Sequence, residues 1–403
     1  MTLLEEALAH GLAQHRAGQL TEARSVYEAL LSHCHDPNIH GTALSHLAHL
    51  HLNATRLSDA REAADRALRI DGSNGTALLA AARVERVAGH PERGLATLQT
   101  RSTHHLPPAL LHELALCWHA MGEFRKAFLA FKEAKRRISF TNLDVNRGIL
   151  TRYMERLAAR FDGPEQQWTP TPALDRASPV FLVGFKESGV EELGAILDAH
   201  PGFGLTRESP AMDAARRSIG GKDPDGLHTL TEDEIVRART KYFEVIDQRV
   251  SRDCVPVDAM PFNMIGLALI HRLFPEALIL RCVRHPCEAT LRAFLKPYEL
   301  NAVTCHFDRL ERTATTLMAT TAISAQIEDT LGLTVHPLKI EEFLASPHET
   351  AAAIASGVGL DPHADLAVTP MSTLDQWPKY RAEMSRWLTP LTELAEALGY
   401  PAK

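Results

Sequence analysis

The sequence predicts two fold classes in one chain: an α-helical repeat array, then an α/β domain built on a parallel sheet. Three observations predict it. Residues 3 to about 150 carry an internal period, and residues 162–172 are rich in proline and polar side chains. Beyond them, short continuous apolar runs alternate with helical patterns, as in βαβ units. The expected division is a repeat domain over residues 1–161, a linker over 162–178 and an α/β domain over 179–403.

The period is read from four turn segments: Ala17-Gly-Gln-Leu-Thr-Glu-Ala23, Ala54-Thr-Arg-Leu-Ser-Asp-Ala60, Ala88-Gly-His-Pro-Glu-Arg-Gly94 and Met121-Gly-Glu-Phe-Arg-Lys-Ala127. Their last residues are 37, 34 and 33 positions apart. This spacing, with a small residue at each recurrence, resembles the tetratricopeptide repeat and implies an α-solenoid. The small residue lets the second helix of a pair cross the first closely. Tyr27, Leu68, Leu98 and Phe131 are expected in the seams of four helical pairs, with residues 140–161 as capping helices. Such arrays present an extended groove, here expected to take a peptide or protein client, including a partner enzyme. Bracing of the second domain or homodimerisation is the alternative use.

In the α/β region, Pro179-Val-Phe-Leu-Val-Gly184 and Ala277-Leu-Ile-Leu-Arg-Cys-Val283 read as buried strands, and Thr334-Val-His-Pro-Leu-Lys-Ile340 as a further strand. Residues 262–274, 313–330 and 341–344 read as helical. The first strand runs into Phe185-Lys-Glu-Ser-Gly-Val-Glu-Glu192, a glycine turn opening a helix, which is the shape of a phosphate-binding loop. A polyanion needs N–H groups, hydroxyls and cations there. Ser188 and Gly189 fit, but Glu187, Glu191 and Glu192 do not. The two residues after the second glycine lack the Lys-Ser/Thr pair of a nucleoside-triphosphate loop.

From Pro179 to Tyr400 the chain resembles the P-loop-like sulfotransferases, especially those related to tyrosylprotein sulfotransferases and fused behind tetratricopeptide repeats. The resemblance is carried, in order, by the strand and Ser188-Gly189, by Ile196-Leu-Asp-Ala-His-Pro201, and by Asp258-Ala-Met-Pro261 with Leu269-Ile-His-Arg-Leu-Phe-Pro275. Arg284-His-Pro286, Leu338-Lys-Ile-Glu-Glu-Phe-Leu344 and the tail from Gln376-Trp-Pro-Lys-Tyr380 to Pro390-Leu391 complete it.

The resemblance implies 3′-phosphoadenosine-5′-phosphosulfate (PAPS) as donor and sulfuryl transfer to a hydroxyl or amine. It places the catalytic base at Glu208, the 5′-phosphosulfate loop at Ser188 and Gly189, and the 3′-phosphate site at Arg284. The departures concern charge. Glu187 stands where the family has Arg, Val190 and Glu191 where it has two threonines, Ala259 where it has Lys, and Arg292 where it has Ser. Lys186 and Arg292 are the cations that could compensate. Two readings follow: a pseudoenzyme whose PAPS-dependent catalysis is lost or altered and which binds a client through its repeats, or an active sulfotransferase with Glu208 as base and Lys186, Arg284 and Arg292 as its cations. A third, a less anionic ligand in the donor's place, has no residue that identifies it.

The remaining signals exclude more than they assign. A net charge of −7 argues against a nucleic-acid or anionic-membrane partner. The N-terminus has no basic stretch leading into an apolar one, and the six cysteines lack framework spacing, so a reducing cytoplasm is expected. His33, His35, His40, His46, His49 and His51 crowd the second repeat. His46 and His49, three apart on a helix, could share a metal, but decoration of a repeat face explains them more simply.

Overall fold

The structure, a computed structural model, describes residues 3–16, 18–34, 36–99, 106–141, 145–164, 168–364 and 375–401. It divides into two compact units, Met1–Leu143 and Asp144–Lys403.

Among the described residues the first unit holds eight helices: α1 (Leu3–Arg16), α2 (Leu20–His33), α3 (Pro37–Asn53), α4 (Leu57–Ile70), α5 (Gly75–Val87), α6 (Pro91–Gln99), α7 (Pro108–Ala120) and α8 (Phe124–Thr141). Asp36 and Asn74 start α3 and α5 by accepting N–H bonds from the first turn. Each helix packs on its sequence neighbour within a pair, and α1, α3, α5 and α7 pack in succession. The small residues behave as expected. Ala23, Ala60 and Ala127 are fully buried. A Cβ on Gly94 would lie 2.6 Å from the Ala82 carbonyl oxygen and 3.1 Å from Cys117 Sγ. Tyr27, Leu98 and Phe131 are buried, and Leu68 packs between two clusters. Gly18, Gly89 and Gly122 turn three of the pairs with φ of 78°, 84° and 79°, and Thr55 takes the equivalent place at 57°. Of the turn segments, Ala17 lies outside the described residues, as does His35.

Two of the second-repeat histidines, His46 and His49, meet His15 and Tyr27 across three helices. The His15 ring lies 6.0 Å from that of His46 and 5.9 Å from that of His49, and Tyr27 stacks on His46. The Arg83 guanidinium contacts the His49 ring nitrogen at 2.9 Å, while its Nε reaches the fully buried Glu113, which also binds Arg86. A guanidinium on His49 competes with any cation there. Among the described residues no group of three or more His, Cys, Asp or Glu side chains has a metal-holding arrangement.

The second unit opens with α9 (Gly148–Arg160). The sequence reading ended the repeat domain at 161, whereas α9 groups with the later residues. Its carbonyls and those just beyond it explain this: Gln326 donates to Ala158 O at 3.1 Å and Thr330 to Phe161 O at 2.8 Å. The described part of the expected linker is tied down too. The buried Arg272 needs acceptors and finds Thr169 O at 2.7 Å, and Arg239 finds Pro172 O at 2.7 Å. Residues 165–167 of that linker lie outside the described residues.

Five strands follow: β1 (Val180–Gly184), β2 (Phe203–Arg207), β3 (Val255–Ala259), β4 (Leu278–Val283) and β5 (His336–Lys339). They form one parallel sheet in the order β2-β3-β1-β4-β5. The helices are α10 (Val190–Asp198), α11 (Ala211–Ser218), α12 (Glu232–Ile246), α13 (Leu267–Leu273), α14 (Pro286–Leu295), α15 (Leu310–Leu331), α16 (Ile340–Ala345), α17 (Pro347–Gly357) and α18 (Ser385–Ala397). Alternation along β1 divides the core. Val180 and Leu182 join the cluster formed with α10, α16 and α17. Phe181 faces the other way, onto Tyr242 and Phe274. The single helix expected over 262–274 is a 3₁₀ turn (Pro261–Ile265) and α13, parted at Gly266. No described helix is long and apolar enough to cross a membrane.

Candidate functional site

The site lies at the carboxyl ends of β1, β3 and β4, where open parallel sheets bind ligands. β1 ends at Gly184, with φ of 155° and no room for a Cβ, which would lie 2.6 Å from Cys282 O. The loop Phe185–Ser188 closes with Ser188 N donating to Phe185 O at 3.2 Å. Gly189 caps α10 at φ 112°, and a Cβ there would meet Phe343 at 2.9 Å. The backbone is therefore a strand–loop–helix turn of the expected kind. Glu187 occupies it at φ 65°, a conformation costly for a side-chain-bearing residue.

Every cation expected here is already paired. Arg284, just past β4, has a fully buried guanidinium that donates through Nε to Glu187 O and through Nη2 to Glu192 Oε1 at 3.1 Å. Burial lowers its pKa, helped by nearby Arg292 and opposed by Glu192, Glu288 and Glu187. Arg292 on α14 pairs with Glu288, one turn before it. Glu288 is itself fully buried and also accepts the N–H groups of Gln376 and Trp377 at 2.7 and 2.8 Å. Arg292 is thereby committed to a structural carboxylate. Lys186 pairs with Glu208, the expected base, which has φ 47° and donates its N–H to Ala259 O at 3.0 Å.

The structure adds two residues that sequence reasoning missed. Lys296 Nζ lies 2.8 Å from Glu187 Oε1 and 3.7 Å from Glu191 Oε1. Tyr298 OH donates to the same Glu187 oxygen at 2.9 Å. Burial alone would lower the Lys296 pKa, but Glu187, Glu191 and Glu192 raise it overall. Lys186 goes the other way: burial lowers it and outweighs Glu191 and Glu187, with Lys296 adding repulsion.

These residues do not fit a phosphosulfate. Glu187 in the loop and Glu191 and Glu192 in the first turn of α10 hold Lys296 and Arg284, and Ala259 supplies no cation at the end of β3. At about 4 Å and an effective dielectric of 20, a carboxylate repels a phosphate charge by roughly 4 kcal/mol. One feature fits. Ser188 Oγ is buried with no hydrogen-bond partner among the described residues, beside a cavity of about 30 Å³ lined by Gly184, Cys282 and Arg284. That space suits a water, not a phosphate.

Residues 179–365 match the sulfotransferase family, and this stretch is a sulfotransferase-family domain. The family normally uses PAPS. Among solved structures, the sulfotransferase from Alicyclobacillus acidocaldarius is similar at 20% identity and TM-score 0.36, covering 55% of this chain and 96% of its own. The sulfotransferase domain of the Synechococcus PCC 7002 olefin synthase is similar at 16% identity and TM-score 0.33, covering 59% and 100%. Comparison with curated proteins gives no match.

Proposed function

We propose that this protein is a divergent sulfotransferase-family member with lost PAPS-dependent catalysis, and that it acts by binding a peptide or protein client through its N-terminal helical pairs, read as tetratricopeptide repeats. The observation that carries the first half is the complete internal pairing of Lys186, Arg284, Arg292 and Lys296 with the chain's own carboxylates. A donor would have to break several of these pairs at once. The client half rests on the periodic helical pairs and the buried small residues between them. We read the protein as cytoplasmic, with a homodimer or a partner enzyme as further associations.

Calorimetric titration with 3′-phosphoadenosine-5′-phosphate, the stable product nucleotide, tests the reading. No heat and no thermal stabilisation at millimolar nucleotide is expected. Micromolar binding that disappears in Arg284→Ala would overturn it and restore the alternative of an active sulfotransferase with Glu208 as base.

A further inference from the structure

Resting on that reading, we propose that Lys296 and Tyr298 form an oxoanion clamp for which Glu187 is the built-in occupant, an autoinhibitory contact at the loop mouth. One oxygen of Glu187 receives both the Lys296 ammonium at 2.8 Å and the Tyr298 hydroxyl at 2.9 Å. The Tyr298 half of the clamp does not depend on Glu187 for its position. Tyr298 packs on Phe307 with ring centroids 5.5 Å apart, and Phe307 packs on Phe185 and Phe262. These contacts keep the hydroxyl in place when the carboxylate leaves.

The charges define the class of occupant. Lys296 and Lys186 flank the Tyr298 ring, their Nζ atoms 5.9 and 6.0 Å from its centroid. Lys296 repels Lys186 electrostatically, and an anion beside the two relieves that repulsion. A phosphate or sulfate can accept from both ammonium and phenol, as the carboxylate does. The Lys296 side chain is 41% exposed while that of Glu187 is 18% exposed, so once Glu187 is gone an external anion can approach the cation in competition with Glu191, whose Oε1 lies 3.7 Å from it. The backbone strain at Glu187, φ 65°, is consistent with a residue held in place by its partners.

The test is calorimetric and thermal-shift titration of the full chain with inorganic phosphate. Wild type should show no binding up to about 10 mM, whereas Glu187→Gln should gain saturable, salt-sensitive binding at least tenfold tighter. Lys296→Ala in the Glu187→Gln background should abolish the gain. Glu187→Ala, which removes both charge and bulk, should behave like Glu187→Gln and covers the case in which the glutamine variant does not fold. Adenosine 3′,5′-bisphosphate should bind the Glu187 variants no more tightly than free phosphate, because Arg284 and Arg292 keep their partners. No gain in either Glu187 variant, a gain that survives loss of Lys296, or much tighter nucleotide binding would overturn the clamp. These outcomes are separable from the functional reading: nucleotide binding by wild type refutes that reading whatever the Glu187 variants do.

Discussion

At the scale of single residues, a buried carboxyl makes the sharpest prediction. Asp258, in β3, is fully buried and receives one hydrogen bond, from Tyr242 OH at 3.1 Å. Burial pushes its pKa up to about 7, against the lowering effect of Tyr242 and with Asp213 raising it further. The unfolded carboxyl titrates near 4, so between about pH 4 and 7 the folded state binds the proton more tightly. Stability from this group is full below pH 4 and is lost as pH rises through 7. Asp258→Asn should therefore raise the melting temperature of the C-terminal unit by a few degrees at pH 8 and leave it nearly unchanged at pH 4. Melting curves of both proteins at the two pH values check this. The residue scale also marks where the sequence stopped being readable. The losses at Glu187, Val190, Glu191 and Ala259 were visible because the motif fixes what belongs there. Tyr298 was not, because it meets Glu187 across 111 positions of chain and belongs to no motif.

At the scale of elements, legibility followed local residue pattern more than burial. β1 and β4 were foreseen because each carries apolar residues in an unbroken or nearly unbroken run; β5 was expected within residues 334–340, and its His336 and Pro337 are exposed. β2 and β3 were not foreseen, since they carry Gly204 and Pro256, which lower strand propensity. The helical pairs were readable from their small residues, and that reading can be tested. Gly94→Ala places a methyl against the Ala82 carbonyl, and should destabilise the N-terminal unit by roughly 1–3 kcal/mol. Denaturant unfolding measures it; a neutral result would show that α6 shifts freely on α5. The histidine cluster gives that unit an opposite pH response. Burial, with Arg83, His15 and His46, lowers the His49 pKa to about 3. The unfolded ring titrates near 6.5, so the stabilisation is present above that pH and is lost as pH falls toward 3. His49→Gln should flatten the acid limb of the unit's stability profile, seen as a smaller loss of helical circular dichroism between pH 6 and pH 4.

At the scale of the whole molecule, the account rests on charge. A sulfotransferase-family domain keeps its strand–loop–helix backbone, while the cations that would meet a donor are matched by carboxylates from the loop, from α10, from α14 and from the segment after β2. The most direct test is the affinity for 3′-phosphoadenosine-5′-phosphate of wild type beside the triple variant Glu187→Gln, Glu191→Gln, Glu192→Gln, which releases Lys296 and Arg284 together. The account predicts no measurable binding by wild type and a gain of at least about a hundredfold in the variant, ~3 kcal/mol. Equal affinities in the two proteins, whether both strong or both absent, would contradict it.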